Sequence, residues 1–477
     1  MFLGLDLGTS GLKALLINDA QQIVAQHTAA LTVSRPHEGW SEQAPADWIV
    51  ACETAIEAIR AEAPAALAAL KGIGLSGQMH GATLLDGADQ PLRPCLLWND
   101  TRAQAQAERL DADPQFREIS GNIVFAGFTA PKVMWVAETE PSTFEKTRKI
   151  LLPKDYLRLW LTGEHVSEMS DAAGTSWLDT GARDWSDALL EASGMRRDQM
   201  PALVEGSEVS GLLRPELAAR WGIKGAVPVA GGAGDNAASA IGAGTIRPGR
   251  GFISLGTSGV LFAANAAYRP NPASAVHSFC HALPDTWHQM GVILSAASAL
   301  GWYADLVGTA PADLTRALGD DLLPPGEALF LPYLAGERTP YNSASLRARF
   351  DGLSARADRE SLTRAVLEGV AYALKDNQAA LAAAGTAPEP LLAMGGGSRS
   401  SYWLRVIATV LDVPVLLPAE GDFGAAFGAA RLGILAATGA TPDEVCTPPA
   451  IAATIEPERD LSAAFAEGYA RFTAAPR

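Results

Sequence analysis

The pentapeptide Leu-Gly-Thr-Ser-Gly occurs twice in this chain of 477 residues, at Leu7–Gly11 and at Leu255–Gly259. Each copy joins two apolar runs, and a short glycine-containing turn between such runs is typical of a β-hairpin. Hairpins are therefore predicted at Phe2–Ile17 and at Gly251–Asn265. Helix-like and strand-like segments follow each hairpin, so we expect a duplicated α/β fold with one hairpin opening each half. Leu7–Gly11 is called the first turn below, and Leu255–Gly259 the second turn.

The boundary between the halves is predicted near Gly244–Gly249, within a glycine- and proline-rich segment. Clusters of this kind separate domains, because they interrupt regular structure and few contacts cross them. We expect an N-terminal domain over residues 1–244 and a C-terminal domain over residues 245–477. A hydrophobic content of 48% is sufficient for a large core in each domain.

Charge and cysteine spacing argue against several classes of protein. The chain has 37 basic and 53 acidic side chains and a net charge of −16, which disfavours binding to nucleic acid or to a membrane surface. Its four cysteines have no metal-ligand spacing and are expected to be reduced thiols. There is no basic leader and no uncharged apolar run of about 18 residues. A soluble, cytoplasmic protein is expected.

The repeated turns are candidates for phosphate binding. Glycine can adopt positive φ, so a turn bounded by glycines can direct several N–H groups into one phosphate-binding concavity, to which hydroxyls add donors. One such turn is more often an ordinary hairpin turn, but two equal turns favour a grip on a polyphosphate from both sides of a cleft. Asp6 precedes the first turn where Ser254 precedes the second. This difference predicts one Mg²⁺ site, at Asp6; the alternative is a carboxylate that stabilises its own turn.

Three further segments carry candidate chemistry. Gly395–Ser398 follows a short apolar strand; it fits the close approach of a base or ribose, or a plain strand-to-helix turn. Asp235 opens a small-residue helix and fits a catalytic base and a helix N-cap equally well. By residue type alone, Met79 is more typical of a core and His80 of a satisfied buried imidazole. Together they also fit a sugar pocket, as an apolar wall and a hydrogen-bonding group.

These segments resemble the FGGY family of carbohydrate kinases. The likeness rests on Asp6–Gly11, Gly256–Gly259 and Gly395–Ser398 and extends in order over nearly the whole chain. It implies two actin-like, ribonuclease-H-like lobes, with ATP and Mg²⁺ in the cleft between them. Within the family, the Met-His pair at 79–80 points to phosphorylation of D-xylulose at its terminal hydroxyl. The alternatives are another acceptor of the family (ribulose, glycerol or gluconate) and a non-catalytic, actin-like ATP switch.

The resemblance also implies roles for the candidate residues. A homodimer is expected as well, from the family alone. Asp235 is expected to accept the proton of the sugar hydroxyl, and Asp6 to act in catalysis as the Mg²⁺ ligand. For Trp98, residue type alone slightly favours a structural role. The expected sugar-binding residues are Gln78, Met79, His80, Trp98, Asp235 and Asn236. The expected nucleotide-binding residues are Gly8, Thr9, Ser10, Gly256, Thr257, Gly395, Gly396 and Ser398.

Overall fold

The first predicted hairpin is present in the computed structural model, which describes residues 1–419 and 423–477. Strand β1 (Phe2–Leu7) pairs antiparallel with strand β2 (Gly11–Ile17), in a register that runs from Phe2↔Ile17 to Leu7↔Leu12. Most residues of both strands are buried. A strand whose residues are nearly all buried belongs in the interior of a sheet covered on both faces, and this hairpin lies inside its sheet.

The hairpin lies in a seven-stranded sheet. Its other strands are β3 (Ile23–Ala30), β4 (Gly72–Gly77), β5 (Val209–Leu212), β6 (Pro228–Ala230) and β7 (Ala233–Gly234). The strand order is β5-β6-β4-β1-β2-β3, and β7 also pairs with β4. Because β1, β6 and β7 all run parallel to β4, the carboxyl ends of these strands meet at one edge of the sheet.

A second seven-stranded sheet contains the other hairpin. Its strands are β8 (Gly251–Leu255), β9 (Gly259–Asn265), β10 (His277–Cys280), β11 (Trp287–Ile293), β12 (Leu391–Met394), β13 (Val415–Pro418) and β14 (Ile451–Ile455). The order is β10-β11-β9-β8-β12-β13-β14. As in the first sheet, the first strand of the hairpin, β8, has a parallel neighbour on its other side, β12. The predicted duplication is therefore confirmed in topology.

The chain forms two units, each with its own core. Unit 1 comprises Met1–Ile246, Phe279–Trp287 and Asp422–Pro448, and unit 2 comprises Arg247–Ser278, His288–Gly421 and Pro449–Arg477. The α-helices of unit 1 are Pro45–Glu62, Pro64–Ala68, Gln104–Asp111, Pro114–Ser120, Thr129–Thr139, Pro141–Lys146, Pro153–Thr162, Met169–Ala172, Asp187–Ala192, Pro215–Trp221, Asp235–Gly242, Ala425–Thr438 and Pro442–Val445. Those of unit 2 are Ala297–Val307, Pro311–Ala317, Arg359–Ala383, Ser401–Leu411 and Ser462–Ala474. Among the described residues, no helix is long and apolar enough to cross a membrane.

Short two-stranded sheets complete the fold. They pair Glu42–Gln43 with Cys95–Leu96, Thr83–Leu85 with Lys149–Leu151, Val166–Glu168 with Ala202–Val204, Leu178–Asp179 with Asp184–Trp185, and Leu329–Leu331 with Arg349–Asp351. The first of these places Gln43 close to the first turn, where its Nε2 donates to the Thr9 carbonyl at 2.7 Å.

The glycines of the two turns differ from our expectation. None of Gly8, Gly11, Gly256 and Gly259 has positive φ, so the turns do not depend on left-handed backbone. Two of these four glycines, Gly11 and Gly259, are instead required because neighbouring atoms leave no room for a Cβ. A Cβ on Gly11 would lie 2.9 Å from the carbonyl oxygen of Ala29, and one on Gly259 would lie 2.7 Å from a side-chain carbon of Ile293.

Candidate active site

Three neighbouring parallel strands of unit 1 bring the predicted catalytic residues together. In the register of the sheet, Asp6 on β1 and Ala233 on β7 both lie beside Ser76 on β4. The chain leaves β1 into the first turn, β4 into Gln78 and β7 into Asp235. Side chains that are distant in sequence thus meet at one edge of the sheet, where α/β folds commonly bind ligands.

Asp235 is the first residue of the helix Asp235–Gly242, and Gly234 is its N-cap. The alternative that Asp235 is itself the N-cap is therefore wrong. Its Oδ1 accepts hydrogen bonds from the backbone N–H of Asn236 at 2.7 Å and from the Nδ2 of Asn236 at 2.9 Å. Burial raises the pKa of Asp235 to about 6, against the opposing effect of these two hydrogen bonds. A carboxylate held in this way has one oxygen occupied and the other, Oδ2, available for chemistry.

Asp6 lies close enough to Asp235 for the two charges to interact. Burial and, to a smaller extent, the charge of Asp235 raise the pKa of Asp6 to about 6, against the opposing effects of the Ser76 hydroxyl and of Lys13. Lys13 stands opposite Asp6 on β2, and burial lowers its own pKa. The Asp6 Oδ1 atom is buried and has no hydrogen-bond partner among the described residues. Such an atom is costly unless a ligand satisfies it.

His80 is held in a left-handed backbone conformation, with φ of 69°. Its carbonyl oxygen accepts hydrogen bonds from the Thr129 hydroxyl at 3.1 Å and from the Lys132 ammonium at 3.0 Å. Its Nδ1 lies 2.7 Å from the carbonyl oxygen of Gly174, and its ring stacks on Phe128 with centroids 4.5 Å apart. Because a carbonyl only accepts, Nδ1 carries a proton, and in the neutral ring Nε2 is then the acceptor.

Replacing Gly174 by alanine should therefore displace His80. The new Cβ would lie 2.5 Å from both Nδ1 and Cε1 of the imidazole. If His80 forms a hydrogen bond with the sugar, we expect KM for the sugar to rise by about tenfold or more, because a positioned polar group is lost. Steady-state kinetics with varied sugar would measure this. Gly87→Ala is the matched control, since a Cβ there would meet its nearest atom at 3.9 Å; equal KM values for both variants would contradict the prediction.

The remaining sugar-site candidates also lie at this edge. Met79 is buried, and a Cβ on Gly234 would lie 2.9 Å from its sulfur, so Gly234 leaves the space that Met79 fills. Gln78 is buried and accepts a hydrogen bond from the Thr9 hydroxyl at 3.1 Å. Trp98 is 48% exposed and donates to the same hydroxyl at 3.0 Å. The first turn is thus bonded directly to two predicted sugar-binding residues.

The nucleotide-site candidates of unit 2 form a second cluster. The second turn follows β8 and Gly395–Ser398 follows β12, the parallel neighbour of β8. Gly395 has φ of 85°, and a Cβ there would lie 2.9 Å from the Leu255 carbonyl. Gly396 is exposed and has no atom within 4 Å of an added Cβ. A glycine-lined surface of this kind allows a flat group to lie against the backbone.

The structure shows contributions that sequence reasoning missed. Gln43 accepts a hydrogen bond from Gln78 at 3.0 Å, Phe128 stacks on His80, and Gly174 orients that imidazole. No local signal distinguishes them, because Gln43 lies on a two-residue strand and Gly174 in a short 3₁₀ turn. Their importance comes from contacts between segments far apart in the sequence.

Comparisons with known proteins agree with this architecture. The model of the FGGY family of carbohydrate kinases, N-terminal domain, matches residues 1–242, and that of the C-terminal domain matches residues 251–437. The xylulose kinase of Escherichia coli (strain K12) is 49% identical over 439 residues, which are 92% of this chain and 90% of the relative.

Solved structures agree as well. A structure described as a xyloylose kinase from Brucella ovis has a TM-score of 0.98 and 66% identity, covering 99% of this chain and 98% of that chain. Xylulose kinase from Rhodospirillum rubrum has a TM-score of 0.92 and 29% identity, covering 99% and 97%. The predicted fold of actin-like, ribonuclease-H-like lobes is confirmed. With both domain models matched in order along the chain, the protein belongs to the FGGY family of carbohydrate kinases.

Proposed function

We propose that the protein transfers the γ-phosphate of ATP to the terminal hydroxyl of D-xylulose, giving D-xylulose 5-phosphate and ADP. The observation that carries this proposal is the meeting of Asp235, Met79 and His80 at one sheet edge, with Met79 packed on Gly234 and the His80 ring fixed by Gly174. An apolar wall, a fixed hydrogen-bonding ring and a carboxylate are what a polyhydroxylated ketose requires. The similarity to xylulose kinases of 49% and 50% identity supports the choice of sugar.

Asp235 is proposed to accept the proton of the sugar hydroxyl at Oδ2, since Asn236 occupies Oδ1. As the bond between the γ-phosphorus and the β-phosphate oxygen breaks, the sugar oxygen bonds to the γ-phosphorus, and its proton passes to Asp235 late in this step. A carboxylate is a weak base for an alcohol, but in phosphoryl transfer the bond to the leaving group is largely broken before the hydroxyl loses its proton. Positioning therefore contributes more than base strength.

Asp6 fits a Mg²⁺ ion. Its buried Oδ1 has no hydrogen-bond partner among the described residues, and Asp235 adds a second negative charge nearby. Within the described part of the chain, no group of three or more His, Cys, Asp or Glu side chains could hold a metal. Mg²⁺ usually takes one or two carboxylates and completes its shell with water and substrate phosphates. When bound, it would neutralise charge on the phosphates.

The nucleotide is proposed to contact the first turn in unit 1, and the second turn with Gly395, Gly396 and Ser398 in unit 2. That both turns hold one triphosphate stays a prediction. The Ser398 hydroxyl donates to the Gly395 carbonyl at 2.7 Å, so its role in this proposal is to shape the turn. We also propose a cytoplasmic location, which four free, buried cysteines support, and a homodimer, which rests on the family alone.

A panel of sugars tests the proposal. D-xylulose, D-ribulose, glycerol and gluconate are each supplied with ATP and Mg²⁺, and ADP release is measured in a coupled assay. We expect kcat/KM for D-xylulose to exceed the others by about tenfold or more, because a site built around hydroxyl groups penalises a mismatched acceptor. A higher value for another acceptor would reassign the substrate. ADP release at the same rate with and without sugar would favour the ATP switch.

A further inference from the structure

A chain of hydrogen bonds in unit 1 joins the first turn to the predicted sugar pocket. Trp98 Nε1 donates to the Thr9 hydroxyl at 3.0 Å, and that hydroxyl donates to Gln78 Oε1 at 3.1 Å. Gln78 Nε2 donates to Gln43 Oε1 at 3.0 Å, and Trp48 Nε1 donates to the same oxygen at 3.0 Å. Gln43 Nε2 returns to the turn, donating to the Thr9 carbonyl at 2.7 Å. Gln43, Gln78 and Trp48 are all buried.

The direction of every hydrogen bond in this network follows from three groups that can act only as a donor or only as an acceptor. They are the indole N–H groups of Trp98 and Trp48 and the main-chain carbonyl of Thr9. An indole N–H can only donate, and a main-chain carbonyl can only accept. Gln43 must therefore turn Nε2 to the Thr9 carbonyl and Oε1 to Trp48. That oxygen requires Nε2 of Gln78 as its second donor, which turns Oε1 of Gln78 toward Thr9. The single proton of the Thr9 hydroxyl must then point at Gln78, because Trp98 on its other side only donates.

The Thr9 hydroxyl therefore has no proton left for a phosphate oxygen. Donating to a phosphate would leave Oε1 of the buried Gln78 without this partner, and an unsatisfied buried acceptor is destabilising. The backbone N–H of Gly8 is committed as well, since it donates to the carbonyl oxygen of Gly11 at 3.0 Å.

We propose that Thr9, Gln78 and Gln43 are positioning residues that fix the orientation of Trp98 toward the sugar, and that the Thr9 hydroxyl does not bind the nucleotide. The proposal rests on the proposed function. Trp98 is the one member with a largely exposed side chain, at 48%, and its bond to Thr9 ties its ring to the buried glutamines. Thr9 thereby links sugar binding to the first turn, because its hydroxyl accepts from Trp98 and its carbonyl accepts from Gln43.

The second turn has the same five residues but different partners. Thr257 is exposed, and its carbonyl accepts hydrogen bonds from Ala296 N–H at 2.9 Å and from the Ser298 hydroxyl at 2.7 Å. These bonds attach the second turn to the start of the helix Ala297–Val307. Identical pentapeptides are thus anchored to a sugar-site network in unit 1 and to a helix N-terminus in unit 2, and their threonine side chains are expected to differ in function.

Thr9→Val and Trp98→Phe test the proposal, singly and combined. Valine keeps the shape of threonine and removes the hydroxyl, whereas phenylalanine keeps an aromatic ring and removes the N–H. Loss of one hydrogen bond corresponds to about a fivefold to tenfold loss of kcat/KM for the sugar, with KM for ATP unchanged. Both substitutions break the same hydrogen bond. The kcat/KM of the double variant for the sugar should therefore be within about twofold of that of the less active single variant. Thr9→Ser, which keeps the hydroxyl, should restore wild-type values.

Thr257→Val makes the same change in the second turn, where a proposed nucleotide contact is lost; it should raise KM for ATP and leave kcat/KM for the sugar unchanged at saturating ATP. Thermal unfolding is measured for each variant. A rise in KM for ATP in Thr9→Val, with the sugar parameters unchanged, would show that the hydroxyl binds phosphate and would overturn the proposal. Losses that multiply in the double variant, or a Thr9→Ser variant as impaired as Thr9→Val, would do the same. If the wild type prefers another sugar, the same variants are tested on that sugar. If it phosphorylates none, the proposed function fails first, and the proposal fails with it.

Discussion

Replacing Asp235 by asparagine should lower sugar-dependent ADP release by about three orders of magnitude, the middle of the range for general-base catalysis. Asparagine has nearly the shape of aspartate and keeps an oxygen that can accept from Asn236, as Oδ1 now does at 2.7 and 2.9 Å. What it loses is the group that takes the sugar proton. We therefore expect kcat to fall while the sugar still binds. The coupled ADP assay measures the first effect and calorimetric titration with the sugar the second.

Asp47→Asn is the control for this variant. Asp47 is exposed and, like Asp235, lies in the first turn of a helix, here Pro45–Glu62. It should lose only the interaction of its charge with the helix dipole, about 0.3–1 kcal/mol of stability, and keep full activity. If Asp235→Asn retained more than about a tenth of wild-type kcat, a loss smaller than general-base catalysis supplies, its assignment as the base would be wrong.

The largest effect on stability is expected for Gly74→Ala. Gly74 is on β4, where the helix Ala425–Thr438 packs so closely that a Cβ would overlap the carbonyl oxygen of Ala429. Gly4 on the neighbouring strand β1 faces the backbone of Ala426 in the same way. Because both partners are backbone and cannot rotate away, the helix must move off the sheet. We expect a loss of about 3 kcal/mol or more in the free energy of unfolding.

Gly301→Ala separates this steric effect from the general effect of replacing glycine. Gly301 lies inside the helix Ala297–Val307 and has no atom within 4 Å of an added Cβ. Alanine there should stabilise the protein by about 0.5–1 kcal/mol, the difference in helix propensity. Urea unfolding followed by circular dichroism compares the two variants. A Gly74→Ala variant as stable as the wild type would show that the helix does not pack on the sheet as described.

The site was predictable where chemistry follows a short motif. Asp6 and Asp235 each stand beside a glycine turn at the end of an apolar strand, which singled them out as candidates, and the structure brings both to one edge of the sheet. The orientation of His80 was not predictable, since it depends on the Gly174 carbonyl and the Phe128 ring. Neither residue is near position 80 in the chain. The proton of Thr9 could not be assigned either, because its direction depends on two glutamines and two tryptophans.

Local order alone accounts for the two hairpins, since alternation between apolar runs and glycine turns acts over a few residues and needs no distant partner. The parallel pairing of β1, β4 and β7 is different, because its register joins positions 6, 76 and 233 through long connections. The contrast is clearest in the repeated pentapeptide. Both copies join the two strands of a hairpin, but the closing pair is Leu7↔Leu12 in the first and Leu255↔Gly259 in the second. Gln43 and Gln78 hold the first turn, whereas Ala296 and Ser298 hold the second. Hydrogen-bond partners depend on which segments the folded chain places alongside, and five identical residues carry no information about their neighbours.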